Sequence, residues 1–161
     1  RLDRLAVLVV DDNRHMLGLI SEILRGLGIR DLVMLTDAAT AFREIKITAV
    51  DVVITDHAMS PISGIEFVTM LRTSDDSPDR FVPVIMVTGY SDFGTVRAAR
   101  EAGVTEFMVK PVSAKTIYSR IVSVIEKHRQ FIRVENYFGP DRRRHEAPAI
   151  AVERRKMFAA S

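Results

Sequence analysis

Short apolar runs and longer amphipathic stretches alternate along the first 125 residues of the chain. The short runs are rich in valine and isoleucine and end at polar or turn-forming residues, a pattern typical of buried strands. We predict five strands, at residues 5–10, 31–36, 51–56, 82–88 and 106–109. A sixth strand is not predicted, because apolar runs of this kind stop before residue 126.

The stretches between the strands repeat apolar residues every three or four positions, which predicts helices with one buried face. Asn13 and Ser113 can cap the first and last helix, and Gly28 and Gly103 fit helix ends. The predicted helices lie near residues 14–27, 38–47, 65–71, 92–102 and 113–125. Five strand–helix alternations predict an α/β fold, a doubly wound parallel sheet with right-handed crossovers and helices on both faces.

The pattern fails after His128, and we divide the chain there into residues 1–130, a single domain, and residues 131–161, a basic C-terminal tail. Residues 126–161 hold nine basic and five acidic side chains, whereas residues 1–125 hold 14 and 16. We expect the tail to be disordered or to dock on a partner, with Tyr137 and Phe138 as anchors. One arginine cluster, Arg142–Arg144, offers few phosphate contacts, so specific nucleic-acid binding is not predicted.

Composition excludes several classes of protein. The 161 residues include no cysteine, which removes disulfides and thiolate metal sites. Apolar runs stay well short of the roughly 20 residues that a membrane span needs, and no signal-peptide pattern opens the chain. We therefore predict a cytoplasmic protein without a membrane partner.

Polar side chains stand at the ends of four predicted strands: Asp11 and Asp12, then Asp56, Thr88 and Lys110. Parallel strands bring their carboxyl ends to one edge of a sheet, so these residues should share a crevice. Three crowded carboxylates repel one another unless a cation is bound, and ligands that are all oxygen favour Mg²⁺ over Zn²⁺. A carboxylate nucleophile beside Mg²⁺, an amine and a hydroxyl has the groups that phosphoryl transfer requires.

Four motifs in this order resemble the receiver domain of bacterial two-component response regulators, over residues from about 4 to 128. They are Val9-Val10-Asp11-Asp12-Asn13, Ile54-Thr55-Asp56 with Gly64 eight residues later, Val87-Thr88-Gly89 and Phe107-Met108-Val109-Lys110-Pro111. The resemblance is to stand-alone receivers of the chemotaxis type. It implies a flavodoxin-like (βα)5 fold with strand order 2-1-3-4-5.

The resemblance also implies roles for these residues. Asp56 would accept a phosphoryl group from a sensor histidine kinase or a phosphotransfer protein. Asp11, Asp12, Asp56 and the backbone carbonyl of Ala58 would hold Mg²⁺, and Lys110 would bind the phosphoryl oxygens. Thr88 and Phe107 would be the switch pair, of which Thr88 moves to the aspartyl phosphate. Phosphorylation would then change the surface formed by the fourth helix, fifth strand and fifth helix.

Three positions depart from the family pattern. Pro61 comes one residue later than the usual proline of the loop after the phosphoacceptor. Ala58 and Tyr90 occupy positions that tune water access in the family, and neither is an acid or amide that could readily orient an attacking water. We therefore expect slow self-dephosphorylation. His57 we interpret as a plain loop histidine.

The favoured interpretation is a phosphorylation-dependent signalling switch that catalyses only its own aspartyl phosphorylation and dephosphorylation. The expected downstream target is a protein, which the sequence does not name. The sequence also allows a homodimer, formed either through the fourth helix, fifth strand and fifth helix or through the tail. One alternative is a receiver-like scaffold that acts through its basic tail without phosphorylation. Another is a phosphatase, which usually needs a second acid two residues after the nucleophile, where this chain has Ala58.

Overall fold

The computed structural model of the chain describes residues 2–89 and 93–138. A short 3-10 turn, Leu2–Arg4, precedes five strands that alternate with five helices. In chain order these are β1 Ala6–Val10, α1 Arg14–Gly26, β2 Asp31–Leu35, α2 Ala38–Ile47, β3 Val52–Asp56, α3 Gly64–Thr73, β4 Val84–Thr88, α4 Phe93–Ala102, β5 Glu106–Val109 and α5 Ala114–Phe138.

The five strands form one parallel sheet in the order β2-β1-β3-β4-β5. All residues of β1, β3 and β4 are buried, because helices cover both faces of the sheet. The order reverses between β1 and β3, where open sheets of this type form a crevice at the strand ends. The predicted fold class and strand order are confirmed.

Local chemistry explains where the helices begin. The side chain of Asn13 accepts a hydrogen bond from the Met16 amide and caps α1. Ser63 and Glu66 form a capping box at the start of α3, with both reciprocal hydrogen bonds present. β4 begins two positions later than predicted, at Val84, because Pro83 has no amide hydrogen for a ladder bond.

Two separate apolar cores lie on the two faces of the sheet. The first contains Phe42 of α2, Phe67 of α3 and Ala99 of α4, packed on Val53 and Met86. The second joins α1 and α5 to the other face; its members include Leu17, Ile20, Leu24, Ile117, Ile121 and Val124. Every strand of the interior therefore separates two apolar layers, as its near-continuous hydrophobic run predicts.

The last helix is longer than predicted. α5 continues to Phe138, past the expected domain boundary at residue 130. The ring of Phe131 lies 5.1 Å from that of Phe81, which precedes β4, so this part of the helix is packed rather than free. The sequence has no glycine or proline between Pro111 and Gly139 that would end the helix. The helix therefore continues although apolar residues no longer recur at helical spacing.

The predictions for Tyr90 and for Arg142–Arg144 fall outside the described residues. Within the part of the chain that is described, no helix combines the length and the apolar character that crossing a membrane requires.

Candidate functional site

The strand ends carry the predicted polar side chains to one place. Asp11 and Asp12 follow β1, Asp56 and Thr88 are the last residues of β3 and β4, and Lys110 follows β5. A 2.9 Å hydrogen bond from the Lys110 amide to the Thr88 carbonyl holds the end of β5 beside the end of β4. The ends of β3, β4 and β5 surround a cleft of about 320 Å³, whose lining residues are Asp56, His57, Ala58, Thr88, Gly89 and Lys110.

Three carboxylates converge beside this cleft. Asp11, Asp12 and Asp56 each offer an oxygen within 4.8 Å of the other two. Asp11 and Asp56 are buried, whereas Asp12 is exposed. Burial raises the pKa of Asp11 to about 6, and the charges of Asp56 and Asp12 add to the rise, while the Asn13 amide and Lys110 oppose it. The cluster therefore carries negative charge that is poorly compensated by the protein.

The donor set fits a hard divalent cation. Within the described residues, Oδ2 of Asp11 is buried and has no hydrogen-bond partner. Oδ1 of Asp56 is also buried; it forms an ion pair with Lys110 but receives no hydrogen bond of good geometry. Buried carboxylate oxygens are costly unless a donor or a cation satisfies them. All three side-chain donors are oxygens, the ligand type that Mg²⁺ takes.

Among the described residues, Lys110 supplies the positive charge that contacts Asp56. Its Nζ lies 3.1 Å from Oδ1 of Asp56, and its side chain is about one-third exposed, at 32%. The ion pair thus joins a partly exposed amine to the buried carboxylate at the end of β3. An amine in this position can neutralise negative charge that is added to the Asp56 carboxylate.

The two predicted switch residues lie on β4 and β5. Thr88 is buried at the edge of the cleft. Phe107 is half-buried and packs against the first core, with the Arg100 guanidinium 5.5 Å from its ring centre. Its carbonyl accepts a 2.7 Å hydrogen bond from Nε of Arg120. Phe107 is therefore held between α4 and α5, and its switching role stays a prediction.

The loop after Asp56 passes close under the site. The backbone amide of Ser60 donates to Oδ2 of Asp12 at 3.3 Å, and the following bond to Pro61 is cis. Ala58 is exposed at the cleft. A Cβ at Gly64 would lie 2.1 Å from the Asp56 carbonyl oxygen, so only glycine fits where α3 begins. The proline at position 61, one residue later than in the family pattern, therefore does not separate Asp12 from Asp11 and Asp56.

Two side chains, one at the cleft and one at the opposite edge of the sheet, make contacts that the sequence pattern does not predict. His57, interpreted as a plain loop histidine, lines the cleft and buries its Nδ1. Arg72 of α3 donates hydrogen bonds to the carbonyls of Gly103 and Arg80, and thereby ties α3 to the turn after α4. The chain pattern gives no signal for Arg72, because a single arginine near a helix end is normally solvated.

Comparison with known proteins agrees with this geometry. The family described as the response regulator receiver domain matches residues 7–122. The chemotaxis protein CheY of Pseudomonas aeruginosa is 30% identical over 121 residues, which are 75% of this chain and 96% of that protein. The chemotaxis protein CheY-3 of Vibrio cholerae is 29% identical over the same length, with 75% and 92% covered.

Solved structures show the same fold. The chemotaxis response regulator CheY4 of Vibrio cholerae has a TM-score of 0.67 at 26% identity, covering 74% of this chain and 98% of that one. The receiver domain of a sensor histidine kinase from Pseudomonas aeruginosa has a TM-score of 0.64 at 23% identity, with 71% and 92% covered. That protein was solved with a magnesium ion coordinated in its active-site cleft. The five strands, the acid cluster and the family match together establish that this chain belongs to the receiver domains of two-component response regulators.

Proposed function

We propose that this protein is a phosphorylation-dependent switch in which Asp56 accepts a phosphoryl group from a sensor histidine kinase or a phosphotransfer protein. One observation carries the proposal: a buried carboxylate at the end of the central strand pairs with Lys110 and lies within 4.8 Å of two further acids. A carboxylate held next to both an amine and a cation site is suited to attack phosphorus.

In the proposed reaction, a carboxylate oxygen of Asp56 forms a bond to the phosphorus of a phosphohistidine. The phosphorus–nitrogen bond breaks, its electron pair stays on the imidazole nitrogen, and that nitrogen takes a proton from solvent. Lys110 neutralises charge on the phosphoryl oxygens, since its ammonium already contacts the attacked side chain. Asp11, Asp12, Asp56 and the Ala58 carbonyl would hold Mg²⁺, which supplies further neutralisation of the phosphoryl oxygens.

The output would pass from Thr88 and Phe107 to the surface of α4, β5 and α5. Both residues lie at the side of the sheet that carries β4 and β5, and Phe107 contacts Arg100 of α4. A hydroxyl drawn to the aspartyl phosphate would leave space that Phe107 can enter, and this would alter the surface. An unidentified protein target, or a second copy of the chain, would read that change. Residues 131–161 would serve as a basic appendage to the receiver.

The test is phosphorylation by a small donor. The protein is incubated with acetyl phosphate and Mg²⁺, and its mass is measured. We expect one added phosphoryl group on the wild type and none on Asp56→Asn, and we expect chelation of Mg²⁺ to prevent the addition.

Two other outcomes would contradict the proposal. An unmodified wild-type protein would favour a scaffold that acts through the tail without phosphorylation. Continuous release of phosphate from many substrates would favour a phosphatase, although Ala58 stands where that class usually has its second acid.

A further inference from the structure

His57 has a buried polar atom that the reaction above does not use. The side chain is half-buried and lines the cleft directly after Asp56. Among the residues that the structure describes, its Nδ1 finds no hydrogen-bond partner. An orphaned buried nitrogen destabilises the state in which it occurs, so a state that supplies a partner is favoured.

The strand register identifies the neighbour of His57. In the β3–β4 ladder Asp56 is paired with Val87, and the His57 amide continues the ladder with a 3.0 Å hydrogen bond to the Val87 carbonyl. His57 therefore lies opposite Thr88 just past the end of the ladder, where its carbonyl turns away and accepts a 2.9 Å hydrogen bond from the Gly64 amide. Neighbouring strands lie about 4.8 Å apart, and paired residues project from the same face, which brings the two side chains within reach of each other.

Packing places Thr88 on the face of the sheet that α3 covers. Met86, two positions before Thr88, belongs to the core beneath α3. A Cβ placed on Gly64 would lie 3.0 Å from both Met86 Cε and His57 Cα, so the beginning of α3 covers this corner. Because side chains alternate along a strand, Thr88 projects from the face of Met86.

We propose that His57 is a positioning residue for the Thr88 hydroxyl in the phosphorylated protein. Nδ1–H of His57 donates to Oγ of Thr88, and the hydroxyl hydrogen is thereby directed to a phosphoryl oxygen. A hydroxyl can accept and donate at once, and successive hydrogen bonds strengthen one another. The inference rests on the proposed function, because it requires Thr88 to turn toward phosphorylated Asp56.

Three substitutions of His57 separate this role from a general packing role. His57→Asn keeps an amide nitrogen at about the distance of Nδ1 from the backbone. His57→Gln moves that nitrogen one bond outward, and His57→Phe keeps a ring without any nitrogen. Beryllium fluoride with Mg²⁺ serves as the probe for the phosphoryl group, and binding is followed through the NMR amide signal of Gly89.

We expect His57→Phe and His57→Gln to raise the beryllium fluoride concentration at half-saturation about fivefold, the effect of losing one hydrogen bond of ordinary strength. His57→Asn should stay within about twofold of the wild type. In a Thr88→Val background, which removes the hydroxyl, His57→Phe should have no further effect. Without the probe, His57→Phe should melt at the wild-type temperature or above it, because the orphaned nitrogen is gone.

Equal half-saturation for wild type and His57→Phe would overturn the inference and leave the proposed function intact. An undiminished fivefold effect in the Thr88→Val background would overturn it too, since the effect would not pass through the hydroxyl. If the wild type fails to respond to beryllium fluoride, or if Asp56→Asn responds equally, both the inference and the proposed function are wrong.

Discussion

The guanidinium of Arg72 donates two hydrogen bonds, of 2.8 and 3.1 Å, to the carbonyl oxygen of Gly103. A third bond, 3.0 Å long, runs to the carbonyl of Arg80. Burial lowers the pKa of Arg72 to about 10, and the charge of Asp79 opposes that shift. One side chain thus joins the end of α3 to the turn that follows α4 and to the loop that precedes β4.

Arg72→Lys should be strongly destabilising, although the charge is kept. A lysine ammonium cannot reproduce the planar fork that binds one carbonyl twice, and the carbonyls of Gly103 and Arg80 would lose donors. We expect a loss of roughly 2–4 kcal/mol in the free energy of unfolding, measured by urea denaturation. Arg43→Lys is the matched control, because the Arg43 guanidinium makes a single-donor, exposed hydrogen bond to Thr40. Similar losses for the two variants would contradict this account.

Asp11→Asn should stabilise the metal-free protein and weaken its response to Mg²⁺. The amide removes a buried charge that its acidic neighbours repel, and it can still accept the 2.9 Å hydrogen bond from the Asn13 amide. We expect the free energy of unfolding in the presence of a chelator to rise by roughly 1–3 kcal/mol. The Mg²⁺-dependent rise in melting temperature should shrink, since a carboxylate ligand is lost.

Exposed Asp31 serves as the comparison for that experiment. Asp31→Asn should leave both quantities unchanged, because Asp31 is not part of the acid cluster. If Asp11→Asn is less stable than the wild type in the presence of a chelator, the prediction is wrong, and the Asp11 carboxylate stabilises the metal-free protein.

Glu106→Gln should destabilise the protein at neutral pH and not in acid. Burial alone would raise the pKa of Glu106, but hydrogen bonds from Lys127 and Ser123 and the charges of Lys127 and Arg120 outweigh it, so the pKa is lowered. A depressed folded-state pKa gives stability that is fully present above the unfolded value, roughly 4.3, and is lost as pH falls through the folded value.

The expected difference between wild type and Glu106→Gln is about 1 kcal/mol at pH 7, from urea denaturation. Repetition at a series of lower pH values should show the difference shrinking on the acid side of the ordinary glutamate pKa. Glu126→Gln removes an exposed pair with Arg129 and should show a much smaller difference throughout. A constant difference for Glu106→Gln at all pH values would exclude titration of this carboxyl as the cause.

Ala58→Asn should shorten the lifetime of the phosphorylated protein. Ala58 is exposed at the cleft, and its methyl group cannot orient water toward phosphorylated Asp56. A side-chain amide at this position can hold an attacking water, so we expect roughly three- to tenfold faster loss of the phosphoryl group by mass spectrometry. Ser60→Asn places the same amide elsewhere in the loop as a control. A wild-type lifetime shorter than that of Ala58→Asn would refute the expectation of slow self-dephosphorylation.

The strand ends were the most predictable part of the molecule. β1, β3 and β4 are covered on both faces, so the sequence marks each of them with a near-continuous apolar run that ends at a polar residue. Once the strands are parallel, Asp56 and Lys110 must meet at one edge, and the structure joins them in an ion pair. The position of Gly64 is equally forced, because the Asp56 carbonyl occupies the place of a side chain.

The errors come from contacts that have no periodic signature. The end of α5 was placed too early because Phe131 packs on a loop residue, Phe81, rather than on the sheet. His57 does lie in the loop after β3, but the burial of its Nδ1 was not predicted, because burial of a single ring atom depends on where α3 begins. Arg72 was overlooked because its acceptors are backbone carbonyls distant in sequence.

The two apolar layers lie on opposite faces of the sheet and are packed separately from each other. Phe107 packs into the layer shared by α2, α3 and α4, whereas α1 and α5 are fastened to the other layer. Repacking of the first layer need not loosen the second, because the hydrogen-bonded strands between them act as a partition. A receiver built in this way can repack the layer of α2, α3 and α4 while the layer of α1 and α5 stays packed against the other face of the sheet.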